Sequence, residues 1–171
     1  MGVKLGLNLL KLRQTGRVTF YDGLKLIPKL FEESESDIEI VKKIYDDIKA
    51  VVSEDTLIMV DQVSLLLHLG IDTKNVYALC HYLSLLPLKI LNVQLVLRMF
   101  ESNNADNNLV NQVHRLGVLN IKVEGLQTGL SRDVSGVITF NFKDKDDIKL
   151  QYKTFDKEVK IFAPGTCKAV L

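Results

Sequence analysis

Apolar and polar residues alternate at both ends of this chain, and between them the apolar positions recur at three- and four-residue steps. Near the start, Val3, Leu5, Leu7 and Leu9 alternate with Lys4, Gly6 and Asn8, the period-two pattern of a half-buried strand. The stretch RQTG, Arg13 to Gly16, reads as a turn, after which Val18 and Phe20 alternate with Arg17 and Thr19. An N-terminal hairpin is therefore expected, with helix the rival reading of LNLLKLR, against which Gly2 and Gly6 weigh. From Ser36 to Val52 the period changes. Val41, Ile44, Tyr45, Ile48, Val51 and Val52 form one apolar stripe, and Ser36 with Glu39 three residues on is a capping-box signature. The acidic run Glu32, Glu33, Glu35 and Asp37 suits the positive end of that helix dipole.

A second helix is expected to end at Gly70, built on Val60, Val63, Leu66 and Leu67. A third follows Asp72, with Val76, Leu79, Cys80, Leu83 and Leu86 on one face, and stops at Pro87. Between Leu88 and Phe100 the residues Leu91, Val93, Leu95, Leu97 and Met99 alternate, but the intervening positions are apolar too, so strand and core helix both fit. ESNNADNN, Glu101 to Asn108, reads as a long polar loop, with a short helix over 110–116 after it. Alternation then returns at Ile121 and Val123, at Ile138, Phe140 and Phe142, at Ile148, Leu150 and Tyr152, and at Val159 and Ile161. A lone hairpin is marginal in water, so strands at the two ends need partners. The expected architecture is a single α+β domain over 1–171. Its antiparallel sheet is shared by the N-terminal hairpin and the C-terminal strands, and the helical middle covers one face.

Composition narrows the function classes. With 47% apolar and 25% charged residues the chain is of ordinary globular type. Its 22 basic and 21 acidic side chains give a formal charge of +1, so no global field draws it to nucleic acid or membrane. Cys80 and Cys167 stand in no paired spacing and read as free thiols of a reducing compartment. The start MGVKLGLNLLKLRQ has neither the basic head nor the apolar block of a secretory signal. The most apolar region, 76–100, is broken by His81, Pro87, Lys89 and Arg98, short of the roughly 18 residues a membrane span needs. Two lipid signals each fail on one residue: Gly6 stands where myristoylation of Gly2 asks for Ser or Thr, and Cys167 is fifth from the end rather than fourth.

Candidate chemistry is sparse. His68 and His81 lie in leucine-rich helical stretches, where structural histidines are the rule, and adjacent Cys80 and His81 point to different helix faces. There is no CxxC or HxxxH spacing for zinc, and Gly125, Gly129 and Gly136 spell no phosphate loop. Asp144, Asp146 and Asp147 lack the glycine and terminal glutamate of a calcium loop and read as a solvated hairpin turn. No enzyme, cofactor or metal site is expected. Lysines interleaved with Phe142, Tyr152, Phe155 and Phe162 have the look of a nucleic-acid platform. Five acidic residues in the same stretch offset them, and exposed-strand lysines also guard against edge aggregation.

Two segments, NLLKLRQTGRVTFYDGLKLIPKLF and GLSRDVSGVITFNFKDKDD, resemble the matrix proteins of rhabdoviruses, plant-infecting members in particular. The basic N-terminal tail and the proline-rich budding motif of many members are absent. The resemblance implies a non-enzymatic assembly protein of host cytoplasm and virion that self-associates and bridges nucleocapsid and anionic membrane. The residues assigned to such contact are Lys4, Lys11, Arg13 and Arg17 on the first hairpin, with Lys149, Lys153 and Lys160 on the last strands. The alternatives are a soluble adaptor whose helical middle binds a partner, and an RNA-binding suppressor or regulator.

Overall fold

Asn8 and Gly16 decide the first element. The computed structural model describes residues 8–165 apart from 35, 102, 103, 127, 128 and 130. In it, α1 (Leu9–Gln14) runs from the last residue of the expected first strand into the expected turn. The Asn8 side chain accepts from the Lys11 N–H at 3.0 Å. At the other end Gly16 sits at φ 71°, its N–H on the Arg13 carbonyl and that of Arg17 on the Leu12 carbonyl. A polar N-cap and a left-handed glycine with this bond pair are the start and stop of a helix. The expected turn is therefore the end of a helix, and Arg17 to Phe20 form no strand. Val3, Lys4, Leu5 and Leu7 lie outside the described residues.

The chain falls into two compact units, one from Tyr21 to Gly117 and one made of the residues on either side of it. The first unit begins with α2 (Gly23–Glu33) and α3 (Asp37–Val51). α3 follows the expected signature: the Ser36 side chain accepts from the Glu39 N–H at 3.4 Å, and Ile40 and Val41 are buried. Next comes β1 (Leu57–Val60), where a helix was expected, and only α4 (Leu65–His68) of that helix forms. The three- and four-residue spacing of Val60, Val63, Leu66 and Leu67 therefore runs across a strand end, a turn and one helical turn. α5 (Thr73–Ser84) starts at Asp72, whose carboxylate accepts from the Lys74 N–H at 3.0 Å; that bond is the largest cause holding Asp72 below its ordinary pKa. α6 (Leu86–Lys89) carries Pro87 in its first turn.

The ambiguous segment resolves as β2 (Gln94–Leu97), parallel to β1 with Leu57 opposite Gln94. Parallel strands need a crossover, supplied here by α4 to α6. Both strands are entered in the same way. Asp55 and Asn92 have φ of 59° and 55°, and the Asn92 amide donates to the Asp55 carboxylate at 2.9 Å. Ile58 on β1 meets Val76, Leu79, Cys80, Leu83 and Leu86 in one core. From Asn104 to Asn108 the expected polar loop is instead the first half of α7 (Asn104–Val113). Asp106, Leu109 and Val113 are all buried at helical spacing, so the stripe that defines this helix contains a carboxylate.

Burial pushes the Cys80 thiol up to about 12. Iodoacetamide at pH 8 is expected to leave the Cys80 peptide unmodified in folded protein and to label it fully in denaturant, as read by peptide mass. The folded thiol keeps its proton to about pH 12, whereas an unfolded one loses it near 9. Its contribution to stability is thus whole below about pH 9 and is lost between there and about 12.

The second unit holds α1 and an antiparallel meander of β3 (Leu119–Gly125), β4 (Gly136–Phe142), β5 (Ile148–Thr154) and β6 (Val159–Phe162). The α+β class and its antiparallel sheet stand as expected. Among the described residues, however, no N-terminal strand joins that sheet.

Candidate partner-binding surface

The meander sorts its side chains cleanly by period two. Ile121 lies opposite Phe140, which lies opposite Ile148; Val123 lies opposite Ile138, which lies opposite Leu150; Tyr152 pairs with Ile161. These share one face, because successive strand residues point to opposite sides. The other face carries Lys122, Thr139 and Lys149 in one row and Lys153 opposite Lys160 in another. Lysines on one side and apolar residues on the other are what alternation in KVEG, VITFNF and IKLQYKT encodes.

Of the residues picked from sequence, Lys149, Lys153 and Lys160 therefore share the polar face. Lys153 and Lys160 both stand over the Phe155 ring, at 5.4 and 5.3 Å from its centre. Two lysines placed directly opposite repel. Here Lys160 pairs with Glu158 at 3.3 Å, and Lys153 donates to the Arg132 carbonyl. Lys122 likewise pairs with Glu124 at 3.1 Å. This face is locally compensated rather than a bare cationic strip. Lys11 and Arg13 lie exposed on α1 and Arg17 just beyond it; Lys4 lies outside the described residues.

The apolar face is open. Side chains at Ile121, Val123, Ile148 and Ile161 are about half exposed, and Val134 is the one buried hydrophobic residue among the described residues of this unit. Sequence reasoning placed these residues on strands but passed over the face they make. The signal was present: no charge falls on its side of the alternation in any of the four strands.

His68 and His81 each contact neighbouring side chains. His68 Nε2 lies 3.0 and 3.3 Å from the two oxygens of buried Asp106. His81 stacks on Tyr77 with ring centres 6.3 Å apart, and it is exposed where Cys80 is buried. Among the described residues no group of three or more potential metal ligands converges, and no helix is long and apolar enough to cross a membrane.

The described residues thus form a four-stranded meander with one uncharged face and a helical unit with a two-stranded parallel sheet, an α+β protein. Residues 1–161 match the pattern of the Elongation complex protein 6 family, and the chain belongs to that family. The human Elongator complex protein 6 is 27% identical over 203 aligned residues, spanning 100% of this chain and 76% of the relative. The Xenopus laevis protein of the same name is 27% identical over 199, spanning 98% and 75%. The Danio rerio one is 25% identical over 205, spanning 100% and 76%. This overturns the resemblance to rhabdovirus matrix proteins. Virion location, a nucleocapsid partner, self-association and membrane bridging fall with it. The two segments behind it are a capped helix leading through a turn into a second helix, and a strand ending in an acidic turn, which unrelated folds share.

Proposed function

We propose that this chain is a non-catalytic subunit of an Elongator-type complex, working by contact with the other subunits. One observation carries the reading: a sheet face free of charge and open to solvent, in a chain whose relatives are named for a complex. An apolar face of this kind on a soluble protein marks an interaction site. The non-catalytic part rests on the state of the groups best suited to nucleophilic work. The Cys80 thiol is buried and held protonated, and neighbouring His81 is turned away from it onto Tyr77. A buried free thiol fits a reducing compartment, and the cytoplasm is the proposed location.

Co-expression with the other Elongator subunits of the same source tests this. The chain is expected to co-elute with them in sizing chromatography, at a mass by light scattering that includes it in fixed stoichiometry. Elution of the chain apart, at its own 19.3 kDa, would overturn the reading.

A further inference from the structure

Resting on that subunit reading, we infer that the apolar face of the β3–β6 sheet is covered in the assembled complex by a folded, uncharged apolar layer of a neighbouring subunit. Exposure is the first argument. Ile121 is 53% exposed, Val123 60%, Ile148 48% and Ile161 50%, although strand alternation puts each on the side that a half-buried sheet keeps from water. Phe140 and Ile138 stand between them on β4. A lysine or glutamate at any of these sites would leave the sheet's own hydrogen bonds intact, yet none is present.

Size and charge then select the occupant. Four strands about 4.8 Å apart, up to seven residues long, span roughly 19 by 23 Å, on the order of 700 Å² of accessible surface once side-chain relief is counted. That is close to the about 800 Å² each partner buries in a standard interface. A lone helix is about 10 Å across and leaves half of the face wet; a layer of two helices, or a second sheet, covers it. The layer must itself be uncharged, because a charge brought against this face finds no counter-charge and is left buried and unpaired. The lysine face looks the other way and stays in water.

The test is incorporation into the co-expressed complex. Ile121→Lys and Val123→Lys place a charge on the apolar face; Lys122→Glu, between them, changes charge on the opposite face. Both apolar-face substitutions replace exposed side chains, so circular dichroism of the free chain is expected to match that of the unaltered protein. Their affinity for the other subunits is expected to fall at least about 100-fold, with Lys122→Glu incorporated normally. Hydroxyl-radical footprinting of the unaltered chain is the companion measurement and decides the matter should either variant fail to fold. Ile121, Val123, Ile148 and Ile161 are expected to lose oxidation on assembly. Incorporation of both lysine variants, or unchanged oxidation of these four residues in the complex, would overturn the assignment of this face and leave the subunit reading standing. Failure of the unaltered chain to enter the complex would overturn both.

Discussion

Gly136→Ala is expected to break the β3–β4 edge of the sheet, at a cost of about 3 kcal/mol. A Cβ built on Gly136 runs into the Glu124 carbonyl on one side and lies 2.8 Å from the Tyr152 ring on the other. The ring could swing aside, but the carbonyl belongs to the neighbouring strand and is tied into its ladder, so β3 itself must move. Gly125, the cross-strand partner of Gly136, is the control. Its Cβ would meet nothing within 4 Å, and Gly125→Ala is expected to be neutral or to stabilise by about 0.5 kcal/mol through the unfolded chain. Native-state hydrogen exchange at β3 and β4 amides separates the two. Exchange is expected to accelerate by about two orders of magnitude in Gly136→Ala and to stay unchanged in Gly125→Ala. Equal exchange in both would mean that β3 yields at no cost.

The second large effect is expected at His68 and Asp106. Asp106 is fully buried in the first turn of α7, where a carboxylate gains from the helix dipole. Both of its oxygens lie within 3.3 Å of His68 Nε2. Removing a partner from a buried charge costs about 3–5 kcal/mol. The His68 side chain is 38% exposed, so solvent screens part of the interaction. His68→Ala is accordingly expected to cost about 2 kcal/mol, measured by denaturant unfolding. Asp106→Asn keeps the shape and removes the charge, at about 1 kcal/mol. The double variant is expected to cost no more than His68→Ala alone, because a neutral amide does not require the imidazole. Strict additivity would show that the two groups do not act as a pair.

Where local chemistry and apolar period agree, the sequence is a reliable guide to this fold. Ser36 with Glu39 opens α3, Asp72 opens α5, and the four C-terminal strands follow their alternation. The misreadings come from places where period and end-signals disagree. Arg13 to Gly16 read as the turn of a hairpin, but Asn8 and Gly16 cap a helix there. Asn104 to Asn108 look like a loop because the residue on the buried stripe is Asp106, whose partner His68 is 38 positions away. No local pattern reveals such a pairing. Val60 fits a helical spacing only if the turn at Asp61 and Gln62 is ignored; Gln62, at φ 58°, is where the chain leaves the strand. Of the candidate surface, alternation specifies which side chains share a face. Whether that face is covered is a property of neighbours far apart in sequence, or in another chain, and period two carries no record of it. The family itself is legible only over nearly the whole length; two short segments, one helical and one a strand with its turn, were too common to identify it.

The link between Asn92 and Asp55 has a consequence for how this family can vary. Parallel strands have no tight turn to hold them in step, and a slip by one residue would exchange Ile58 for Met59 at the core. Here the alignment is made where the strands begin and end, by Asn92 on Asp55 at the entry and by Asp61 and the Val63 N–H on Arg98 at the exit, and the excursion between them, Leu65 to Ile90, makes none of these bonds. Insertions and deletions in that excursion can change its length without sliding one strand past the other. A single residue added between Asp55 and Leu57 would turn the strand inside out.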